Sequence, residues 1–315
     1  MFGDLSPFIR QTNLFSRQAG NPFRPPVPPE PPFRRPGPSR LQSAGLIPSV
    51  RQFKFADNQT PMPVNRVSFN FNFFDYVNQS VDKRFGVPIN RIQAFRYIMT
   101  IEKTVLNQNA SIGFRLPINN VIGGSNIPGL GKSSTAAGDL GMYFKYALWI
   151  DRPAGRVLSV GMAFNFPTGP TQFAGAPWIR SIHYTDIQPF LAFQWTQDRW
   201  YFLNFAAVDA PTSPRDVTMI YNDMSLGYFV YRNTDPGAWL KSVAPTLEIH
   251  VNTPTNHRDV FNMRDIAGTT EVVDTTQGIN FFFSGNTVLS LGVAEPLTGP
   301  RPFSFETLAL LNVFF

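Results

Sequence analysis

The chain of 315 residues is 43% hydrophobic and 14% aromatic, yet no apolar run reaches the roughly 18 residues a membrane-spanning helix needs. The absence of cysteine excludes disulfides, thiolate metal sites and Cys nucleophiles, and 15% charged residues is sparse for a surface lying entirely in water. The formal charge of +6 belongs to residues 1–55, where Arg10, Arg17, Arg24, Arg34, Arg35, Arg40, Arg51 and Lys54 outnumber Asp4 and Glu30; the neutral remainder offers no nucleic-acid platform.

Residues 1–63 read as a basic, Pro-rich, mostly unstructured extension. The stretch from Asn21 to Pro38 is dense in proline and therefore extended or polyproline-like. It reads as a disordered linker, with a segment packed into the interior of the folded remainder of the chain, or one pairing with cell-wall components, as the alternatives. The opening Met1-Phe-Gly-Asp-Leu-Ser-Pro7 has no basic leader followed by an apolar run, so no signal peptide is visible.

From Val64 onward a period of two recurs, the signature of strands with unlike faces. Val67, Phe69, Phe71 and Phe73 alternate with Ser68, Asn70 and Asn72. Phe95 to Val105, Ala110 to Leu116, Leu140 to Ile150 and Leu158 to Phe166 alternate likewise. Strands continue at 187–195, 200–208, 219–231, 242–251, 278–283, 287–294 and 303–315, twelve in all. In the last, Phe315, Val313, Leu311 and Ala309 form an apolar face, opposed by Asn312, Leu310, Leu308 and Glu306. An even count suits a single-chain membrane barrel with both ends on one side.

The connections are sorted by parity. Tight turns at 107–109, 151–155, 198–199, 233–237 and 284–286 come after the even-numbered strands. Long connections at 77–91, 117–138, 167–186, 209–218 and 252–277, and a shorter one at 296–302, come after the odd-numbered ones. Short turns on one side and long loops on the other mark an outer-membrane barrel, with turns and termini periplasmic. The expected fold is thus an all-β antiparallel transmembrane barrel over 64–315. Its closing strand pairs with Val64–Tyr76 and carries its carboxylate at the periplasmic edge.

Sites with chemistry are few. Ser125-Asn-Ile-Pro-Gly-Leu-Gly-Lys-Ser-Ser134 nearly fits a phosphate-binding loop, but Asn126 stands where Gly is required and a strand comes next instead of a helix. A membrane serine hydrolase needs His and Ser two apart on one strand face; His183, His250 and His257 are followed at that spacing by Thr185, Asn252 and Asp259. No catalytic, cofactor or metal site is therefore expected, and His257, Asp259 and Asp265 read as a solvated loop. Arg96, Glu102, Arg115, Asp139, Lys145, Asp223, Glu248, His250 and Glu306 share the register opposite the apolar one, which in a barrel is the lumen. Their mixed signs fit cross-strand pairing or a polar passage, with Arg96, Glu102, Arg115, Asp139 and Lys145 clustered on one wall. In a soluble sandwich they would simply face water.

Gly138-Asp-Leu-Gly-Met-Tyr-Phe-Lys-Tyr-Ala-Leu-Trp149 and Leu158-Ser-Val-Gly-Met-Ala-Phe-Asn-Phe-Pro-Thr-Gly169 resemble the outer-membrane family named for the MetA pathway of phenol degradation. Val67–Asn78 and the run from Glu102 to Pro117 resemble planctomycete members of such barrel families. The resemblance spans about 64–315. It implies a transporter-like outer-membrane barrel passing small hydrophobic or aromatic molecules, with membrane lipid and the barrel-assembly machinery as partners and Phe315 as the assembly signal. It carries no defined site residues. A structural or surface-interaction barrel and a soluble two-sheet protein are the alternatives.

Overall fold

The computed structural model describes residues 58–77, 79, 89–125, 133–177, 184–235, 237–259, 265, 267–284 and 286–315, with the short strands Phe8–Gln11 and Leu46–Ser49. Twelve strands make the wall: β1 (Arg66–Asp75), β2 (Ile89–Val105), β3 (Ala110–Ser125), β4 (Leu140–Asp151), β5 (Arg156–Phe166) and β6 (Asp186–Gln197), then β7 (Trp200–Pro211), β8 (Met219–Tyr228), β9 (Leu240–Pro254), β10 (Val272–Phe283), β11 (Thr287–Pro296) and β12 (Phe305–Phe314). Each pairs antiparallel with its neighbour in sequence, and β12 closes on β1 from Phe305↔Asp75 to Phe314↔Arg66. The ring has no free edge, as a barrel in lipid requires.

The turn side is tight because its residues accept left-handed backbone. Leu106, Asn107 and Gln108 (φ 50, 53 and 67) turn β2 into β3, and Asp198 (φ 53) turns β6 into β7. The β8–β9 hairpin is less regular than expected: β8 stops at Tyr228, and Tyr231–Arg232 then rejoins β9.

Several strands run further than their alternation indicates. β2 starts at Ile89, β3 continues to Ser125, and β10 starts at Val272. Much of the expected long loops is thus strand standing above the barrel wall. Ser134–Ala137 pairs back on β3 with Val121↔Ser134, so the segment resembling a phosphate loop leads into a strand.

The closing strand also corrects an orientation. β12 descends from the loop side, so Glu306, near its start and opposite Phe74, lies at the loop-side rim and not at the turn side.

The two faces are inverted relative to a water-soluble protein. Val67, Met99, Phe114, Leu148, Leu191, Val208, Met224, Ile249, Leu291 and Leu311 point outward and are exposed. Such an apolar belt circles every strand but β10, whose outward residues are mostly half-buried. Trp149, Trp195, Trp200 and Trp239 are exposed close to the turn-side ends of β4, β6, β7 and β9. That places an aromatic girdle at one rim, where a bilayer interface would lie.

Candidate functional site

The inward register carries the charges, and the strongest cluster centres on Glu102. Its carboxylate lies 2.9 Å from Arg66 Nε and 2.8 Å from Lys145 Nζ. It also accepts the Tyr143 hydroxyl at 2.8 Å and the Ser111 hydroxyl at 2.7 Å. Lys145 is on β4 and Glu102 on β2, so the pair bridges β3. This is possible because β3 presents Ser111 and Gly113 there, and Tyr143 lies flat over the missing side chain of Gly113. Arg66 continues the network to Asn312 Oδ1 on β12 at 3.0 Å.

Sequence reasoning places Glu102 and Lys145 together but omits Arg66. The signal is present: Arg66 shares the register of Ser68, Asn70 and Asn72. Asp139 does not join Glu102. Gly138 bonds Pro117, four residues beyond Gly113, the partner of Glu102, so Asp139 sits about 13 Å further along the wall and accepts the Gly169 N–H at 2.9 Å. Arg96 and Arg115 point inward and are fully buried, opposite Asn72 and Gly141 in the strand registers.

A second network lines β8–β10. His250 Nδ1 meets Asp223 Oδ1 at 2.9 Å and Nε2 meets Thr276 Oγ1 at 3.0 Å, with Glu248 Oε2 at 3.6 Å. His250 lies four residues before the end of β9 at Pro254. The order Asp–His–Thr repeats the connectivity of a hydrolase triad, assembled across three strands and not along one. Asp223, His250 and Thr276 are 0, 1 and 0% exposed. Asp274 stands beside them and accepts Asn252 Nδ2 at 3.1 Å. Alternation alone misses Asp274 because it starts β10 too late, and Asp209 because it ends β7 too early.

Apolar side chains line two further parts of the described interior. Ala163, Phe190, Ala192, Phe205 and Ala207 make an apolar wall on β5–β7, reached by Val217 and Ala267 from the loops. At the loop-side mouth Phe74, Ile92, Ala94 and Val121 face inward, and Phe173, Ala174 and Ala176 close over them. Polar-inside alternation fails there because this part of the lumen is capped by protein.

On the turn side residues 58–63 cross the lumen. Asn58 Nδ2 donates to Asn70 Oδ1 at 2.7 Å, and Asn312 Nδ2 donates to Asn58 Oδ1 at 2.8 Å. Lys145 Nζ donates to the Thr60 carbonyl at 2.6 Å and Ser159 Oγ to the Pro61 carbonyl at 2.7 Å. The segment thus touches the β12–β1 seam and the β4–β5 wall.

Of the remaining candidates, His257 Nδ1 meets the Asp265 carboxylate at 2.8 Å and Nε2 meets the Pro214 carbonyl at 3.0 Å, tying two loops together. Among the described residues no three His, Asp or Glu side chains are grouped to hold a metal ion. His183 lies outside the described residues. The Phe315 N–H donates to the Asn65 carbonyl at 3.1 Å, and Lys103 Nζ sits 5.2 Å from the centre of its ring.

No protein-family model and no curated protein matches the chain. Among solved structures it is similar to an outer-membrane channel from Pseudomonas putida F1, with 14% identity and a TM-score of 0.55 over 82% of this chain and 98% of that one. NanC porin gives 10% identity and a TM-score of 0.45 over 79% of this chain and 98% of that one. LpxR from Salmonella typhimurium gives 11% and 0.45 over 79% and 100%. The likeness to the Pseudomonas channel is one of fold: a closed antiparallel twelve-stranded barrel of the outer-membrane type.

Proposed function

We propose that residues 64–315 form an outer-membrane barrel through which small molecules pass passively, with residues 1–63 as a basic extension. The observation that carries this is the inversion of faces: an apolar belt outside, with Glu102, Arg66 and Lys145 buried inside. The motifs around Gly138 and Pro167 favour hydrophobic or aromatic solutes, as in the family they resemble. This reading assigns no covalent chemistry to the buried Asp223–His250–Thr276 network. The test is conductance of the purified full chain in a planar bilayer, together with a heat-dependent shift on a denaturing gel. Extraction without detergent and no heat shift would overturn the membrane reading.

A second reading, a structural or surface-interaction barrel without transport, is favoured by the apolar cluster at the loop-side mouth, where Phe173 and Ala176 close over Phe74 and Val121. It predicts a heat-modifiable barrel that passes no current.

Lipid contact has its own test. Met99 lies mid-barrel between Phe69 on β1 and Leu116 on β3, and is 57% exposed. Met99→Arg is expected to lower the unfolding free energy in lipid by roughly 2–4 kcal/mol. The same change at a lumen-facing or water-facing site has no such depth dependence. A loss below about 1 kcal/mol would count against burial of this face in the bilayer.

Phe315 acts, on this reading, in assembly. Among the described residues its N–H bonds the Asn65 carbonyl and its exposed ring makes a cation–π contact with Lys103, the latter contributing about 0.5–1 kcal/mol. Removing Phe315 is expected to reduce the membrane-inserted fraction in cells several-fold while leaving the unfolding midpoint of assembled barrel nearly unchanged. Normal insertion of the truncated chain would remove the assembly role.

A further inference from the structure

We infer that Asn58–Pro63 is a removable plug that blocks the turn-side half of the lumen. The inference rests on the reading of the barrel as a passage.

The segment occupies space that a solute would need. Asn58, Gln59, Pro61 and Pro63 are buried although they belong to no strand. They are held from two sides, by Asn70 and Asn312 at the seam where the barrel closes and by Lys145 and Ser159 three and four strands away. A chain contacting both sectors obstructs the lumen between them.

The chemistry also explains why the segment stays separate from the wall. Pro61 and Pro63 have no N–H and cannot enter a ladder as a further strand, and their burial leaves no amide donor unpaired. The wall supplies donors instead, Lys145 Nζ and Ser159 Oγ, to the carbonyls of Thr60 and Pro61. Such a segment is retained by a few hydrogen bonds of modest net strength, each replaceable by water when it leaves. Its own restricted backbone limits the entropy it gains on release. The strands themselves need not move, because Asn65 ends the segment immediately before β1.

The test uses the full chain. N58A/S159A removes three of the hydrogen bonds and leaves the Glu102 network intact. It is expected to raise bilayer conductance roughly tenfold or more over the unaltered protein, with an unchanged heat shift on the gel. A second variant, N58C/N312C, carries the only thiols in the chain, since there is no native cysteine. Bridging them with a short bis-methanethiosulfonate, which forms a disulfide to each cysteine and releases two methanesulfinates, is expected to hold the conductance at its low value. Equal, substantial conductance in the unaltered, doubly substituted and bridged proteins overturns the plug while the passage stands. Absence of current from every form overturns the passage, and the plug with it.

Discussion

Replacing Glu102 with alanine is expected to lower the unfolding free energy of the barrel by about 3–5 kcal/mol, the range for stranding a buried charge by removing its partner. Two cations depend on this carboxylate. Arg66 and Lys145 are 2% and 1% exposed, so neither can recover its loss from water without opening the wall. Tyr143 and Ser111 lose an acceptor at the same time. Ser111→Ala, which deletes one hydrogen bond and no charge, serves as the control at about 0.5–1.5 kcal/mol. Because the ions are buried, added salt leaves the difference largely unscreened. The measurement is denaturant unfolding in detergent micelles, monitored by tryptophan fluorescence. A loss under about 1 kcal/mol for E102A would show that the lumen relaxes around the two cations, and the cluster would cease to be a keystone of β1–β4.

The same cluster shows what the sequence makes legible. A two-residue period arises directly from the pleat, so the lumen register of Arg96, Glu102, Arg115, Lys145 and His250 is readable one strand at a time. The parity of loop lengths gives the ring its order. Partnership across strands is harder to read. Lys145 reaches Glu102 only because Ser111 and Gly113 are small at the intervening positions, a fact about three strands at once. Strand ends are misjudged where alternation weakens, as at 117–125 and 272–277, and Asp274 is lost with them. The Pro-rich approach to β1 has a readable conformation but no readable neighbour: composition makes Pro61 extended without saying that Ser159 faces its carbonyl. Val121 and Ile92 break the polar-inside rule for a similar reason, since Phe173 covers them from a distant loop.

Three glycines carry a second large expectation, and they should not behave alike. Gly113, Gly161 and Gly227 face inward directly opposite Tyr143, Phe190 and Tyr201, whose rings lie over them. A Cβ at Gly113 would stand 2.1 Å from Tyr143 Cζ, and one at Gly227 2.0 Å from Tyr201 Cζ. Those obstacles are ring ends, which can swing aside once Tyr143 gives up Glu102 or Tyr201 gives up Asn280. A Cβ at Gly161 meets Phe190 Cζ at 2.0 Å and also the Phe144 carbonyl oxygen at 2.4 Å. A backbone carbonyl fixed in the ladder has nowhere to go. Gly113→Ala and Gly227→Ala are therefore expected to cost about 1–3 kcal/mol each, and Gly161→Ala more than either. Pairing each with removal of its ring separates the causes. G113A with Tyr143→Ala should cost less than the two changes summed, because the ring clash is counted once. G161A with Phe190→Ala should recover little, because the Phe144 carbonyl remains in the way. Equal losses for the three alanine variants, or full recovery of G161A by F190A, would mean that ring packing alone sets the limit.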